Sequence, residues 1–238
     1  MQTIYYIDRY GNIDRTGFRY KKTPTVKIYP VTLTNLIGVY GNFERDSNGD
    51  GVADGWYGTL GASLDSGVIG SYSQKKSYVA DTNSSWGTFK TLFKIPYTSG
   101  DVLFWSFYGK KNTDDPDDPT AYRILYVLSG WDAGEFTNLI IQSETWARYY
   151  KKFSLTTDDP LWVEGLYINH SVLTDGCLYE AWVDGMCLYN LTAMGILPPL
   201  LQELYEVETW AELPEDVLAS LLVYTDSIAT IGFTFDDV

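Results

Sequence analysis

A single histidine, two cysteines and three methionines among 238 residues leave few soft ligands and few nucleophiles. No Cys/His spacing of the kind that holds zinc occurs. His170 and Cys177 are the one candidate pair for a Cys–His nucleophile, and no Asn or Asp is evident to orient it. Basic residues are also scarce, with 17 Lys and Arg against 31 Asp and Glu, a formal net charge of −14. That balance disfavours the phosphate backbone of nucleic acid and anionic membrane surfaces alike. No run of roughly 18 apolar residues is present, so no membrane-inserted helix is expected. Residues 1–22 lack a hydrophobic signal core, and export by a visible signal is not expected. Glycine-rich phosphate cradles and internal repeats are missing too. Carboxylate pairs such as a glycosidase uses are unavoidable among 31 acids, and therefore uninformative. The expectation is a non-enzyme.

Aromatic residues, by contrast, make up 16% of the chain, with 20 Tyr and 8 Trp. From Leu33 onward, short stretches rich in Tyr, Trp, Phe, Val and Ile alternate with Gly, Asp, Asn and Pro clusters. The predicted strands are 36–43, 68–79, 86–95, 102–108, 122–128, 136–141, 146–155, 161–168, 177–183 and 186–191. No helical period interrupts them, which predicts an all-β antiparallel sandwich, a jelly roll. The acidic stretch 113–119 carries four Asp and two Pro, and is read as a solvated loop.

The stretch Asp46-Ser47-Asn48-Gly49-Asp50-Gly51-Val52-Ala53-Asp54-Gly55-Trp56 is the most distinctive of the chain. It places side-chain oxygens at 46, 48, 50 and 54 between glycines. Alternate Asp and Asn in a tight loop turn several oxygens toward one centre, which suits a hard cation such as Ca2+. The spacing begins as an EF-hand loop does, but the twelfth position is Tyr57 rather than a bidentate Glu, and no helical pattern flanks it. It is read as a structural calcium loop, with an Asx-rich turn holding no metal as the alternative.

Asp184-Gly185 reads as a two-residue hairpin turn that pairs Trp182 with Cys187. Cys177 then lies roughly 16 Å along the strand from Cys187, beyond disulfide reach. Two free thiols are expected, compatible with assembly in a reducing cytoplasm.

Residues 1–32 are polar and aromatic with few aliphatics, read either as an arm that packs on something else or as a first strand. Beyond the main domain, 33–195, the segment 196–238 changes character. Pro198 and Pro199 open one helix and Pro214, Glu215 and Asp216 another. Ala229, Ile231, Phe233 and Phe235 then alternate as a terminal strand. Trp86, Trp105, Trp131, Trp146 and Trp162 are candidates for a sugar-stacking platform, and Trp131, in the loop-like Gly130-Trp131-Asp132-Ala133-Gly134, is the preferred one.

Asn35-Leu36, Asn42-Phe43-Glu44 and the 46–56 loop together resemble the start of carbohydrate-binding-module-like jelly rolls, a domain frequent in phage tail, fibre and other virion proteins. Residues 179–192, Tyr-Glu-Ala-Trp-Val-Asp-Gly-Met-Cys-Leu-Tyr-Asn-Leu-Thr, resemble the end of the same domain. The match covers roughly 33–195, while Gly195-Ile196-Leu197-Pro198-Pro199 departs from the phage pattern. The resemblance implies a structural calcium shared by the first and last strands, to which Glu44 and Asp184 would contribute. It further implies a non-enzymatic virion component, assembled in the host cytoplasm as a homo-oligomer or with other virion subunits. The alternative it implies is a module that recognises host cell-surface glycan.

Overall fold

The structure, a computed structural model, describes residues 27–58, 62–80, 89–91, 94–117, 122–128, 136–154, 156, 161–168, 173–226 and 228–235. The described strands are β1 (Lys27–Thr34), β2 (Trp56–Gly58), β3 (Ala62–Ser66), β4 (Tyr72–Val79), β5 (Phe89–Thr91), β6 (Val102–Thr113), β7 (Tyr122–Leu128), β8 (Phe136–Ile140), β9 (Ala147–Ser154), β10 (Leu161–Ile168), β11 (Leu178–Asn190) and β12 (Ile228–Phe235). Helices α1 (Leu191–Met194), α2 (Pro199–Tyr205) and α3 (Glu215–Leu221) follow β11. By contact the chain divides into residues 32–231 and a second unit of residues 1–31 with 232–238. β1 and β12 form a two-stranded sheet.

The larger unit is an antiparallel β-sandwich, a jelly roll. One sheet runs β3-β4-β11-β6-β9 and the other β2-β5-β10-β7-β8. Period-2 alternation sets the packing. Leu103, Trp105 and Phe107 of β6 join Tyr179, Ala181, Val183, Met186 and Leu188 of β11 in the core between the sheets. Phe104, Ser106, Cys187 and Tyr189 lie on the opposite face, yet all four are at most 1% exposed. The C-terminal segment covers them. Its Trp210, Leu213, Leu218 and Leu222 are buried, and Lys152 Nζ donates to Ala211 O and Leu213 O, both at 2.9 Å. Tyr189 Oη donates to Val223 O. This sheet is therefore packed on both faces, which explains the nine successive buried residues 181–189.

Several sequence expectations are corrected. Residues 178–190 form one strand, not a hairpin at Asp184-Gly185. The long β6 pairs with both halves, and Gly185, at φ +54°, is absorbed as a bulge between the pairs Asp184↔Tyr108 and Cys187↔Ser106. Both cysteines are free, as expected. Residues 36–43 are not a strand. A 3₁₀ turn occupies Gly38–Asn42, seated by the Asn35 side chain, which accepts from Ile37 N and Leu188 N at 3.1 Å. β3 falls where no strand was expected. The acidic stretch is not simply solvated: β6 runs on to Thr113, Asp115 is 5% exposed and accepts from Tyr179 Oη, and Asp114 accepts from Leu178 N at 2.6 Å. Its first carboxylates tie off the end of β11.

Candidate functional site

The 46–54 loop folds on its own side chains. Asp46 accepts from the amides of Gly49, Asp50 and Gly51 at 2.8, 3.2 and 2.9 Å. Asn48 Oδ1 accepts from Asp50 N at 3.2 Å and Asp50 Oδ1 from Val52 N at 2.8 Å. Asp54 Oδ1 takes both the amide and the hydroxyl of Ser47, at 2.9 and 2.8 Å. Those two bonds hold the Asp54 carboxyl below its ordinary range. The donor set is all oxygen, three carboxylates and one amide, and its chemistry suits a hard cation. Among the described residues, however, no three His, Cys, Asp or Glu side chains converge on one point. The loop is wrapped by Asx turns rather than presented as a closed cage.

Glu44 and Asp184, named with the loop residues as possible ligands, meet elsewhere. Both hold the turn between β3 and β4. Glu44 Oε1 accepts from Ser71 N and Tyr72 N, each at 2.7 Å. Asp184 Oδ2 accepts from Val68 N at 2.6 Å and Ile69 N at 2.7 Å, while its Oδ1 takes Gly185 N at 2.6 Å. Burial pushes the Asp184 carboxyl up to about 6, against the pull of those amides and with a smaller push from Glu44. The first and last segments of the resemblance thus clasp one turn from two sides.

Beside the loop lies a cavity of about 350 Å³, lined by Val39, Tyr40, Phe43, Glu44, Arg45, Ala53, Asp54 and Gly55. Tyr40 is 40% exposed and Val39 41%. The Tyr40 ring is seated on Gly55, where a Cβ would stand 2.4 Å from its Cδ1, and Gly55 has φ +83°. Trp56 Nε1 donates to Tyr40 O at 2.8 Å, and the Trp56 ring packs against Phe43 with centroids 5.2 Å apart. Sequence reasoning missed Tyr40. The one signal was its place a few residues before an aspartate-rich loop.

The tryptophans separate by position. Trp105 is wholly buried between the sheets and is no platform. Trp86 and the preferred Trp131 lie outside the described residues, and for Trp162 only the backbone is described. Trp146 belongs to a row across the first sheet. Lys75 lies 4.8 Å from the Trp182 ring centre, Lys110 4.6 Å from the same ring, and Lys110 again 4.9 Å from Trp146. Glu180 pairs with Lys75 at 2.6 Å, and Asp65 accepts from the Trp182 indole at 2.9 Å. Trp182, 7% exposed, has two ammonium groups over its ring, which is a stabilising arrangement more than a stacking surface.

No family model matches the chain, and no curated protein matches it. Solved structures do. "Family 16 Carbohydrate Binding Module-2" is similar at 17% identity and a TM-score of 0.45, covering 65% of this chain and 99% of that one. The enzymatically active domain of bacteriophage CBA120 tailspike protein 4 is similar at 13% identity and a TM-score of 0.42, covering 65% of this chain and 21% of that one. A structure of TmCBM61 in complex with β-1,4-galactotriose is similar at 10% identity and a TM-score of 0.38, covering 63% and 91%.

Proposed function

We propose that this chain is a non-catalytic glycan-recognition module. One observation carries the reading. The two stretches that resemble the ends of a carbohydrate-binding jelly roll are remote in sequence, yet Asn35 bonds to Met186 O and Leu188 N, and Glu44 and Asp184 clasp the same turn. Residues that carry a family resemblance by chance have no reason to meet in this way. Calcium is proposed as the structural ion, held by Asp46, Asn48, Asp50 and Asp54, while Glu44 and Asp184 stay with the turn between β3 and β4. It would supply charge compensation to a loop crowded with carboxylates.

Retention on soluble and insoluble polysaccharides and on intact bacterial cells, with calcium and with chelator, tests the reading. Retention that a soluble sugar competes away is expected. Absence of retention on every surface would refute it.

A second reading sets the module in a virus particle, as a tail, fibre or decoration component. The phage-like residues support it, as do exposed apolar side chains on the C-terminal segment. Ile196 is 73% exposed, Leu204 60%, Ile228 67% and Val223 49%. Such side chains suit contacts with further copies or with other virion subunits. Light scattering should then show an oligomer, and a monomer at every concentration would count against this reading.

A further inference from the structure

We infer that the cavity beside Tyr40 binds one pyranose ring, an inference that rests on the glycan-recognition reading and gives it a place. A pyranose presents a face of C–H groups edged by hydroxyls. It needs a rigid aromatic or apolar surface for the face, and acceptors and donors around it for the hydroxyls. The cavity supplies each. Tyr40 and Val39 expose the apolar wall. The tyrosine is held before any ligand arrives, since Gly55 leaves room for its ring and Trp56 anchors its carbonyl. A preorganised wall loses little entropy on binding.

The acceptor is the lining carboxylate of Glu44; it and Asp54 are each anchored through one oxygen. Both bonds to Glu44 fall on Oε1 and both bonds to Asp54 fall on Oδ1. Glu44 Oε2 keeps its acceptor capacity, for a sugar hydroxyl, whereas Asp54 Oδ2 is the oxygen left for the ion proposed in the loop. Arg45, exposed at the rim, supplies the donor for a ring or hydroxyl oxygen. The same pair of carboxylates repels phosphate or sulfate, so the class of ligand is a neutral sugar. A volume near 350 Å³ stands at the lower end of small-ligand sites, about 300–1,000 Å³.

The test titrates the isotope-labelled full chain, in calcium, with the methyl glycosides of glucose, galactose, mannose and N-acetylglucosamine. NMR follows the backbone amides of Asp54 and Gly55 and the indole N–H of Trp56. At least one glycoside should shift all three signals. Tyr40→Ala and Arg45→Ala should each weaken binding by about tenfold, the loss of one good ring or charged contact, while Tyr40→Phe retains it. Unchanged spectra of the unliganded variants elsewhere show that they fold. No shift with any glycoside, or full affinity in Tyr40→Ala, would overturn the inference. Polysaccharide retention that survives Tyr40→Ala would overturn the cavity and leave the glycan function standing. Shifts at Gly55 without retention on any polymer or cell would uphold the cavity and overturn the wider function.

Discussion

Arg148 is expected to be the main polar tie between the sandwich and its C-terminal segment. It projects from β9 toward the end of α3. Nη1 donates to Ala219 O, and Nη2 donates to Leu222 O at 2.5 Å and to Ser106 Oγ at 3.0 Å. The two carbonyls stand at the negative end of a helix, where a guanidinium is favoured twice, by charge and by hydrogen bonding. Leu222 is fully buried and Ala219 is 7% exposed, so water does not readily replace the lost donor. Arg148→Met keeps the aliphatic stem and deletes the fork. Each hydrogen bond to a charged group is worth about 1.5–3 kcal/mol, and three that share one side chain do not add in full. A loss of ~3–4 kcal/mol is therefore expected in urea unfolding followed by circular dichroism. Hydrogen exchange in residues 215–222 should speed up more than in β6. A loss below ~1 kcal/mol with unchanged exchange would refute the reasoning. It would mean that apolar burial of Trp210, Leu213, Leu218 and Leu222 alone holds the segment down.

Lys76 faces the core from β4 at 2% exposure, and burial pulls its pKa down to about 8 from 10.5. The unfolded chain binds that proton more tightly, so this group raises stability as pH climbs from about 8 to 10.5 and costs stability below. Lys76→Met should therefore be more stable than the wild type at pH 7, by ~1–3 kcal/mol, with the advantage shrinking toward pH 10; an advantage that does not depend on pH would contradict this. For the loop, Asp50→Ala should lower the melting temperature in calcium and scarcely change it in chelator, because only a bound ion links stability to ion concentration. Equal losses in both, measured by calorimetry, would contradict the metal reading.

The fold was legible where local pattern and tertiary role coincide. Residues 122–128 and 161–168 are strands at the predicted bounds, because alternation and β-branched or aromatic content mark a half-buried strand wherever it packs. Pro199 at the start of α2 and the acids of Glu215 and Asp216 in α3 mark their helices by rules that act within one turn. The rest depended on partners remote in sequence. Asn35 makes residues 36–43 a turn rather than a strand, because its side chain takes the amide of Leu188. Asp115 enters the structure because Tyr179 waits for it. The candidate site divides the same way. The loop oxygens were visible in the spacing of 46, 48, 50 and 54. Tyr40 was not, since its seat is Gly55 and its anchor Trp56, and nothing in the spacing names either.

Gly185 carries the local mark of a hairpin and folds as a bulge. An Asp-Gly pair between apolar alternations is the ordinary mark of a hairpin, and Gly185 does adopt the positive φ that such a turn needs. What the local pattern lacks is β6, long enough at Val102–Thr113 to pair with both halves. Given that partner, the chain runs straight and the glycine becomes one extra residue. Its effect is one of phase. Before it, Tyr179, Ala181 and Val183 point between the sheets; after it, Met186 and Leu188 do. A regular strand would turn Met186 and Leu188 outward, because a slip of one residue exchanges the faces. The bulge keeps both in the core and leaves Cys187 and Tyr189 for the C-terminal segment to cover. It also sets Asp184 at a bend, with its carboxylate free to take Val68 N and Ile69 N from the neighbouring turn. One glycine thus serves the core, the covered outer face and the clasp that joins the two ends of the domain.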